Sequence, residues 1–253
     1  MKFFKDLGYV FVRNVKGTLR NPVWLFVGFF QPILYLLLFA PLLKNLAGVP
    51  GFPQGGAYTV FTPGLLVMLA LFGTVYAGFT LIDHIRQGFL ERLLVTPANR
   101  LAILLGYILR DIVTLVIQSA IVVCIALPLG LKVSATGLLI TFGFMILTAL
   151  LTASFSYGMA MVLKREDSMA SVLNMIATPL MLLSGITLPL TLAPKIIQSI
   201  ASVNPFAYEV TATRSLFLGN FTDPSILVGF LFLGALAVLA FWWAIRSFRR
   251  AAA

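Results

Sequence analysis

Residues 60–82 read VFTPGLLVMLALFGTVYAGFTLI, and residues 83–100, directly after them, read DHIRQGFLERLLVTPANR. The first stretch carries no charged residue, and a helix of roughly 20 apolar residues is what a hydrocarbon core of about 30 Å requires. The second is a dense charged insertion that no bilayer core would accept. A membrane-crossing helix running straight into a polar loop is the reading that decides the fold: an all-α integral membrane protein.

Working outward, the same apolar length recurs at 23–43, 101–131, 138–163, 169–188 and 225–245, giving six transmembrane helices in a single transmembrane domain over 1–253. A third span starting at Leu101 leaves Arg110 and Asp111 at its inner boundary. The fifth is interrupted by Thr178-Pro179 and Ser184-Gly185. Composition agrees: 60% of the 253 residues are hydrophobic and 10% charged, against about 25% charged in soluble chains, and mean hydropathy is +1.02. One cysteine, Cys124, and one histidine, His84, exclude a disulfide framework and a thiolate or imidazole metal cluster.

The net charge of +10 does not point to nucleic acid, because the basic residues gather at the ends of apolar spans. Lys44, Lys132, Lys195 and Arg214 fall on one side, and the other fourteen of the eighteen Lys and Arg fall on the opposite side. Under the positive-inside rule that side is cytoplasmic, with both termini there and anionic lipid as the neighbour.

Residues 3–20 place Phe4, Leu7, Phe11, Val15 and Leu19 at helical spacing, with Lys5, Arg13, Lys16 and Arg20 elsewhere on the wheel. The pattern predicts an amphipathic helix lying in the interface. Within loop 83–100, Phe89, Leu90, Leu93 and Leu94 form an apolar stripe, while Arg86, Gln87, Glu91 and Arg92 face elsewhere. Thr96-Pro97 reads as N-cap and first helical residue, so a second helix begins there and continues into the third span.

On the other side, residues 189–224 form the longest segment between spans. Leu192, Ile196, Ile197, Ile200 and Val203 recur at helical spacing up to Asn204-Pro205, and a second short helix runs from about Ala207 to Leu218, before Gly219-Asn220. Thr148, Thr152 and Ser156 repeat every four residues along the fourth span, the pattern of close helix packing. Gln31, Tyr35, Asn174 and Thr178 are scattered polar residues of the first and fifth spans and are candidates for a substrate path.

No G-x-x-x-x-G-K-[ST], G-x-S-x-G or HExxH occurs, so the chain has no phosphate cradle, nucleophile elbow or zincin site of its own. It is not an enzyme by itself and holds no cofactor. An ion-gradient-driven secondary transporter is the alternative, but this reading places no relay of acids or bases at mid-membrane.

Tyr58-Thr59-Val60-Phe61-Thr62-Pro63-Gly64, Arg86 through Gly88, Leu93, Thr96-Pro97, Asn204-Pro205, Arg214 and Gly219 stand in this order along the chain. On them the sequence resembles the permeases of ATP-binding-cassette type-2 exporters, near the daunorubicin-resistance-type drug and antibiotic export branch. The resemblance implies a membrane subunit in a prokaryotic cytoplasmic membrane. It pairs with a second permease copy near the first and fifth spans and works with two separate ATPase subunits that carry ATP and Mg. It also implies that 83–100 is the coupling helix docking on the ATPase, that 3–20 is the interfacial helix beside it, and that 189–218 are extracellular re-entrant helices. Phe89, Leu90, Leu93 and Leu94 would then pack into a cleft of the ATPase, with Glu91 and Arg92 setting register and Arg86 beside them. The cargo would be amphipathic or lipid-linked. Loop 44–59 is short and rich in Gly and Pro, so no added outer domain indicates the substrate.

Overall fold

The computed structural model describes residues 2–20, 30–39, 41, 56–89, 99–186 and 190–250, and every regular element among them is helical. In chain order these are α1 (Lys2–Leu19), α2 (Phe30–Phe39), α3 (Ala57–Val75), α4 (Gly78–Arg86) and α5 (Arg100–Ala126). They are followed by α6 (Ala135–Leu163), α7 (Glu166–Leu182), a 3₁₀ turn (Leu190–Leu192), α8 (Lys195–Ala201), α9 (Pro205–Phe217) and α10 (Pro224–Arg250).

Four helices are long and apolar enough to cross a membrane: Ala57–Arg86, which joins α3 and α4, then α5, α6 and α10. They correspond to the expected spans 60–82, 101–131, 138–163 and 225–245. The second of these stops at Ala126 rather than 131, because Pro128 cannot continue a helix. The expected span 169–188 is α7, which begins earlier, at Glu166, and is only 17 residues long. Its end is set by Ser184, whose hydroxyl and backbone N–H both donate to Met181 O. Of the expected span 23–43, α2 covers Phe30–Phe39. The rest of that span apart from residue 41, and the loop 44–59 up to residue 55, lie outside the described residues.

α6 is the centre of the bundle. It carries no charged residue and has apolar side chains on every side, broken by the row Thr148, Thr152 and Ser156, and it touches α3, α4, α5, α7, α9 and α10. Between apolar neighbours in lipid, close approach of small residues replaces the hydrophobic effect as the driving force. Ala149, Ala153 and Ala160 are fully buried on α6, and at Gly158 a side chain would collide with the Trp243 ring of α10. Phe144, also of α6, packs against Phe230 of α10 with the rings tilted by 37° and their centroids 3.9 Å apart.

α3 and α4 are one rod broken at Tyr76–Ala77. Ala77, Phe79 and Thr80 donate to carbonyls three residues back, so the turn tightens before the helix resumes. The Gly78 N–H instead donates to Ser156 Oγ of α6 at 2.9 Å. At the far end of the bundle, α9 begins at Pro205 rather than near Ala207. Asn204 Oδ1 caps Phe206 N at 3.1 Å, and Pro205 occupies the first helical position, where its missing N–H costs nothing. Asp223 starts α10 in the same manner, accepting from Ser225 N at 2.9 Å and from Ser215 Oγ at 2.5 Å. Burial would raise the Asp223 carboxyl, but these hydrogen bonds outweigh it and hold the group below the ordinary carboxylate value.

α1 packs along α5. Its contact centres on Val10 and the buried Asn14 rather than on the whole stripe from Phe4 to Leu19, of which Phe4 and Leu19 are exposed. Gly106 permits the approach, since a Cβ there would meet Val10 Cβ and Cγ1 at 2.8 and 2.7 Å.

Gly78 is the tightest backbone approach at the α3–α4 break. A Cβ there would stand 2.5 Å from Ser156 O and from Met169 Cε. Gly78→Val is expected to lower stability by about 1–3 kcal/mol, the usual cost of overpacking, read as a lower melting temperature of the detergent-solubilised protein. Gly234→Ala, whose Cβ meets nothing within 4 Å, should leave the melting temperature unchanged.

Candidate functional site: the loop between α4 and α5

The loop leaves α4 through a turn that needs glycine. Gln87 and Gly88 donate to Asp83 O and Ile85 O, and Gly88 takes φ +64, a left-handed conformation open to it without strain. The turn brings Phe89 back onto the bundle. Its ring packs edge-on against His84, with centroids 5.3 Å apart, and the Arg13 guanidinium of α1 lies 3.3 Å from its centre. Such a cation–π contact is worth about 0.5–1 kcal/mol when exposed and more when dry. Leu90, Glu91, Arg92, Leu93 and Leu94 lie outside the described residues, as do Thr96-Pro97.

Both roots of the loop are tied to other elements. On the α4 side, Arg86 Nη1 pairs with Glu166 Oε1 of α7 at 2.6 Å. The pair is exposed, so it adds only about 0–1 kcal/mol, but it links the loop's start to α7. On the α5 side, the helix does not run on from Pro97: Asn99 is extended and is itself the N-cap, its Oδ1 accepting from Leu101 N at 2.9 Å. The Asn99 N–H donates to Asp6 Oδ2 of α1 at 3.4 Å, and Arg100 Nη1 donates to Arg249 O at the end of α10 at 3.1 Å.

Beneath the loop a polar cluster runs inward. His84 Nδ1 and Tyr107 Oη are 2.5 Å apart, and the Tyr107 and Tyr157 rings meet at 5.5 Å. Tyr157 Oη donates to Asp111 Oδ2 at 2.5 Å, and Arg110 Nε donates to Asp111 Oδ1 at 2.9 Å. Arg110 and Asp111 are buried about 15 Å along α5 from its first residue. Every partner in this group is satisfied, which is the condition under which a buried ion pair is tolerable. A cavity of about 90 Å³ lies between α1 and Tyr107, lined by Tyr9, Val10, Arg13, Asn14 and Phe89.

A second polar line lies on α6. Thr148 Oγ1 donates to Glu209 Oε2 of α9 at 2.7 Å, the Thr152 and Thr74 hydroxyls meet at 2.5 Å, and Ser156 Oγ accepts from Gly78. Arg110 and Asp111, expected at the inner boundary of the third span, lie buried well inside α5 because its helix starts ten residues before Arg110, and Glu209, on α9 outside the expected spans, is fully buried. The signal was present: Pro205, Glu209, Ala212, Thr213 and Leu216 share the buried face of α9 at helical spacing.

The four substrate-path candidates stand on two helices, Gln31 and Tyr35 on α2, Asn174 and Thr178 on α7. Tyr35 is half-buried on α2 and contacts the Phe39 ring, while Gln31 on the same helix is exposed. Asn174 and Thr178 are exposed on α7. Asn174 Oδ1 accepts from Tyr76 Oη at 2.6 Å, and Tyr76 is the middle of three stacked rings, Phe72, Tyr76 and Phe79. Sequence reading missed these rings because their spacing also suits ordinary packing. Among the described residues no three His, Cys, Asp or Glu side chains gather as metal ligands would.

Comparison with known proteins bears on this arrangement. Residues 5–218 match the ABC-2 type transporter family. A protein named transport permease ycf38, from Cyanophora paradoxa, is 30% identical over 85% of this chain and 75% of its own length. The daunorubicin resistance ABC transporter permease protein DrrB1 of Streptomyces coeruleorubidus is 28% identical, over 79% of this chain and 70% of its own. The inner membrane transport permease YadH of Escherichia coli K12 is 27% identical over 74% of each.

Removing one member of the buried ion pair strands the other. Asp111→Leu is expected to destabilise the protein by about 3–5 kcal/mol, whereas Arg110→Met combined with Asp111→Leu costs clearly less. Denaturation of the purified variants in detergent measures the difference.

Proposed function

The chain belongs to the ABC-2 type transporter family, and from that membership we propose that it forms the membrane half of an ATP-driven exporter. It is a multi-pass membrane permease subunit, and the family implies an ATP-binding partner subunit. In our reading two copies of this chain assemble with two such subunits, which carry ATP and Mg. Six spans result when 23–43 and 169–188 are counted with the four long helices, and both termini face the cytoplasm. Exposed Leu34, Leu37 and Leu38 on α2 and Met175 and Leu182 on α7 suit contact with the second copy.

One observation carries the coupling role: the two roots of the loop are fastened to different helices. A partner gripping Leu90, Leu93 and Leu94, with register set by Glu91 and Arg92, pulls on α7 through Arg86 and on α1 and α10 through Asn99 and Arg100. Phe89, held by Arg13 and His84, is the root of this lever.

The cargo is an amphipathic molecule moved outward from the inner leaflet. The stacked rings of Phe72, Tyr76 and Phe79 beside Asn174 offer a flat apolar wall with one polar edge, which suits an aromatic amphiphile. Daunorubicin, named in one relative, is the probe of choice. The buried Glu209 favours a second reading, transport driven by an ion gradient. Efflux by the chain alone, collapsed by a protonophore, would establish it.

In proteoliposomes holding the chain and its ATPase, Glu91→Lys or Leu93→Asp should insert normally, yet daunorubicin moved per ATP hydrolysed should fall at least about tenfold, within the usual range of site-to-site coupling. Undiminished export would remove the loop from the mechanism. Tyr76→Leu should leave hydrolysis intact and raise the daunorubicin concentration for half-maximal efflux about fivefold, the worth of roughly one hydrogen bond. Unchanged half-saturation would take the ring wall out of the path.

A further inference from the structure

Glu209 is a buried acid that the export reading leaves without a role, and among the described residues it lacks the basic partner that Asp111 has in Arg110. It is wholly enclosed, Thr148 Oγ1 donates to its Oε2 at 2.7 Å, and its Oε1 has no partner. An apolar residue of similar volume would fill the space without the cost of an unpaired buried oxygen. Packing therefore does not account for an acid at this position.

Its setting does. Thr148, Thr152 and Ser156 form a row on one face of α6, spaced about 6 Å apart and spanning about 12 Å. Each row member holds a different element: Glu209 of α9, Thr74 near the end of α3, and Gly78 at the start of α4. α4 ends at Arg86, the root of the loop between α4 and α5. A displacement of that loop reaches the α3–α4 break first, and the bonds holding the break lie on the same row as the bond holding α9.

We propose that Glu209 is a positioning residue for export, the link through which movement of the α3–α4 break along the α6 row is passed to α9. The row offers equivalent hydroxyl donors at intervals of about 6 Å. When Thr74 withdraws, the Thr152 hydroxyl, which also reaches Thr148 O at 2.7 Å, turns its single proton to the carboxylate, and α9 steps by about one helical turn with Glu209 exchanging Thr148 for Thr152, a ratchet of known type. The unpaired Oε1 supplies the second acceptor that lets the new bond form before the old one breaks. This inference rests on the exporter reading above.

The test uses the complex with its ATPase, carrying Cys124→Ser and one of two spin-label pairs on exposed positions. Leu139 and Leu218 report α6 against the end of α9, and Gln87 and Val162 report the turn after α4 against α6. Trapping with ATP and vanadate should shift both distances in the parent protein, the first by about 6 Å, one spacing of the row. In Glu209→Leu and in the near-isosteric Thr148→Val, the Gln87–Val162 shift should persist while the Leu139–Leu218 shift falls below half. Daunorubicin moved per ATP should drop at least about tenfold in both. Glu209→Gln, which keeps two polar atoms in the same shape, should retain most of each signal. Parent-like shifts in Glu209→Leu and Thr148→Val, or failure of Glu209→Gln to rescue, overturn the inference alone. If neither pair responds in the parent, the exporter reading falls and the inference with it.

Discussion

Polar groups inside an apolar bundle must find partners within it, and on α6 that requirement is met by side chains reaching to other helices. Thr148, Thr152 and Ser156 each bond a different element, so one helix face sets the positions of α9, α3 and α4 together. Without water to compete, an unmade bond at any of these positions leaves a group exposed to hydrocarbon, at a cost that soluble proteins do not face. The seam is therefore also what specifies register. Apolar contacts between α6 and its neighbours would tolerate sliding by any amount, whereas hydroxyl-to-carboxylate and hydroxyl-to-amide pairs restrict it to whole steps of the row, about 6 Å each.

At the end of the bundle that carries α1, a different logic holds. There the ties are exposed and individually weak: Arg86 to Glu166, Asp6 to Asn99, Arg100 to Arg249 O. Weak links that join different helices suit a region on which an outside force acts. They transmit displacement but do not lock the loop in one state, as the buried Arg110–Asp111–Tyr157 cluster locks α5 to α6. The firm cluster lies inward of the weak collar, so the loop has a rigid base beneath it.

How much of this was legible in the chain follows from which force shapes each part. The four long spans were readable because a run of apolar residues has one stable solution in a bilayer. The short elements were less so. Thr96-Pro97 carries sound capping chemistry, yet Asn99 does the capping of α5, because either residue could and the tertiary bond from Asn99 N to Asp6 decides. Pro205 opens α9 two residues before the expected start for the same reason, Asn204 being fixed by Leu180 O as well as by its own cap. The row on α6 was visible as a four-residue repeat, but its partners come from two distant segments, Thr74 and Gly78 at the α3–α4 break and Glu209 on α9, that no local pattern connects.

The break between α3 and α4 gives these pieces a common meaning. An unbroken helix over the 30 residues from Ala57 to Arg86 would be about 45 Å long, well beyond a hydrocarbon core of about 30 Å. Length alone could be absorbed by tilt, so it does not compel a break. What marks the break is how its freed backbone is satisfied: the Gly78 N–H turns to a side chain, Ser156 Oγ, rather than to a carbonyl of its own helix. A bond from backbone to a neighbour's hydroxyl can be exchanged without unwinding anything. The smooth backbone at Gly78, pressed against Ser156 O with no Cβ between, can shift along α6 where a larger residue would be pinned. The rod is therefore divided where α4, with the last turn of α3 that carries Thr74, can shift with the loop, while the rest of α3 stays within the packed interior.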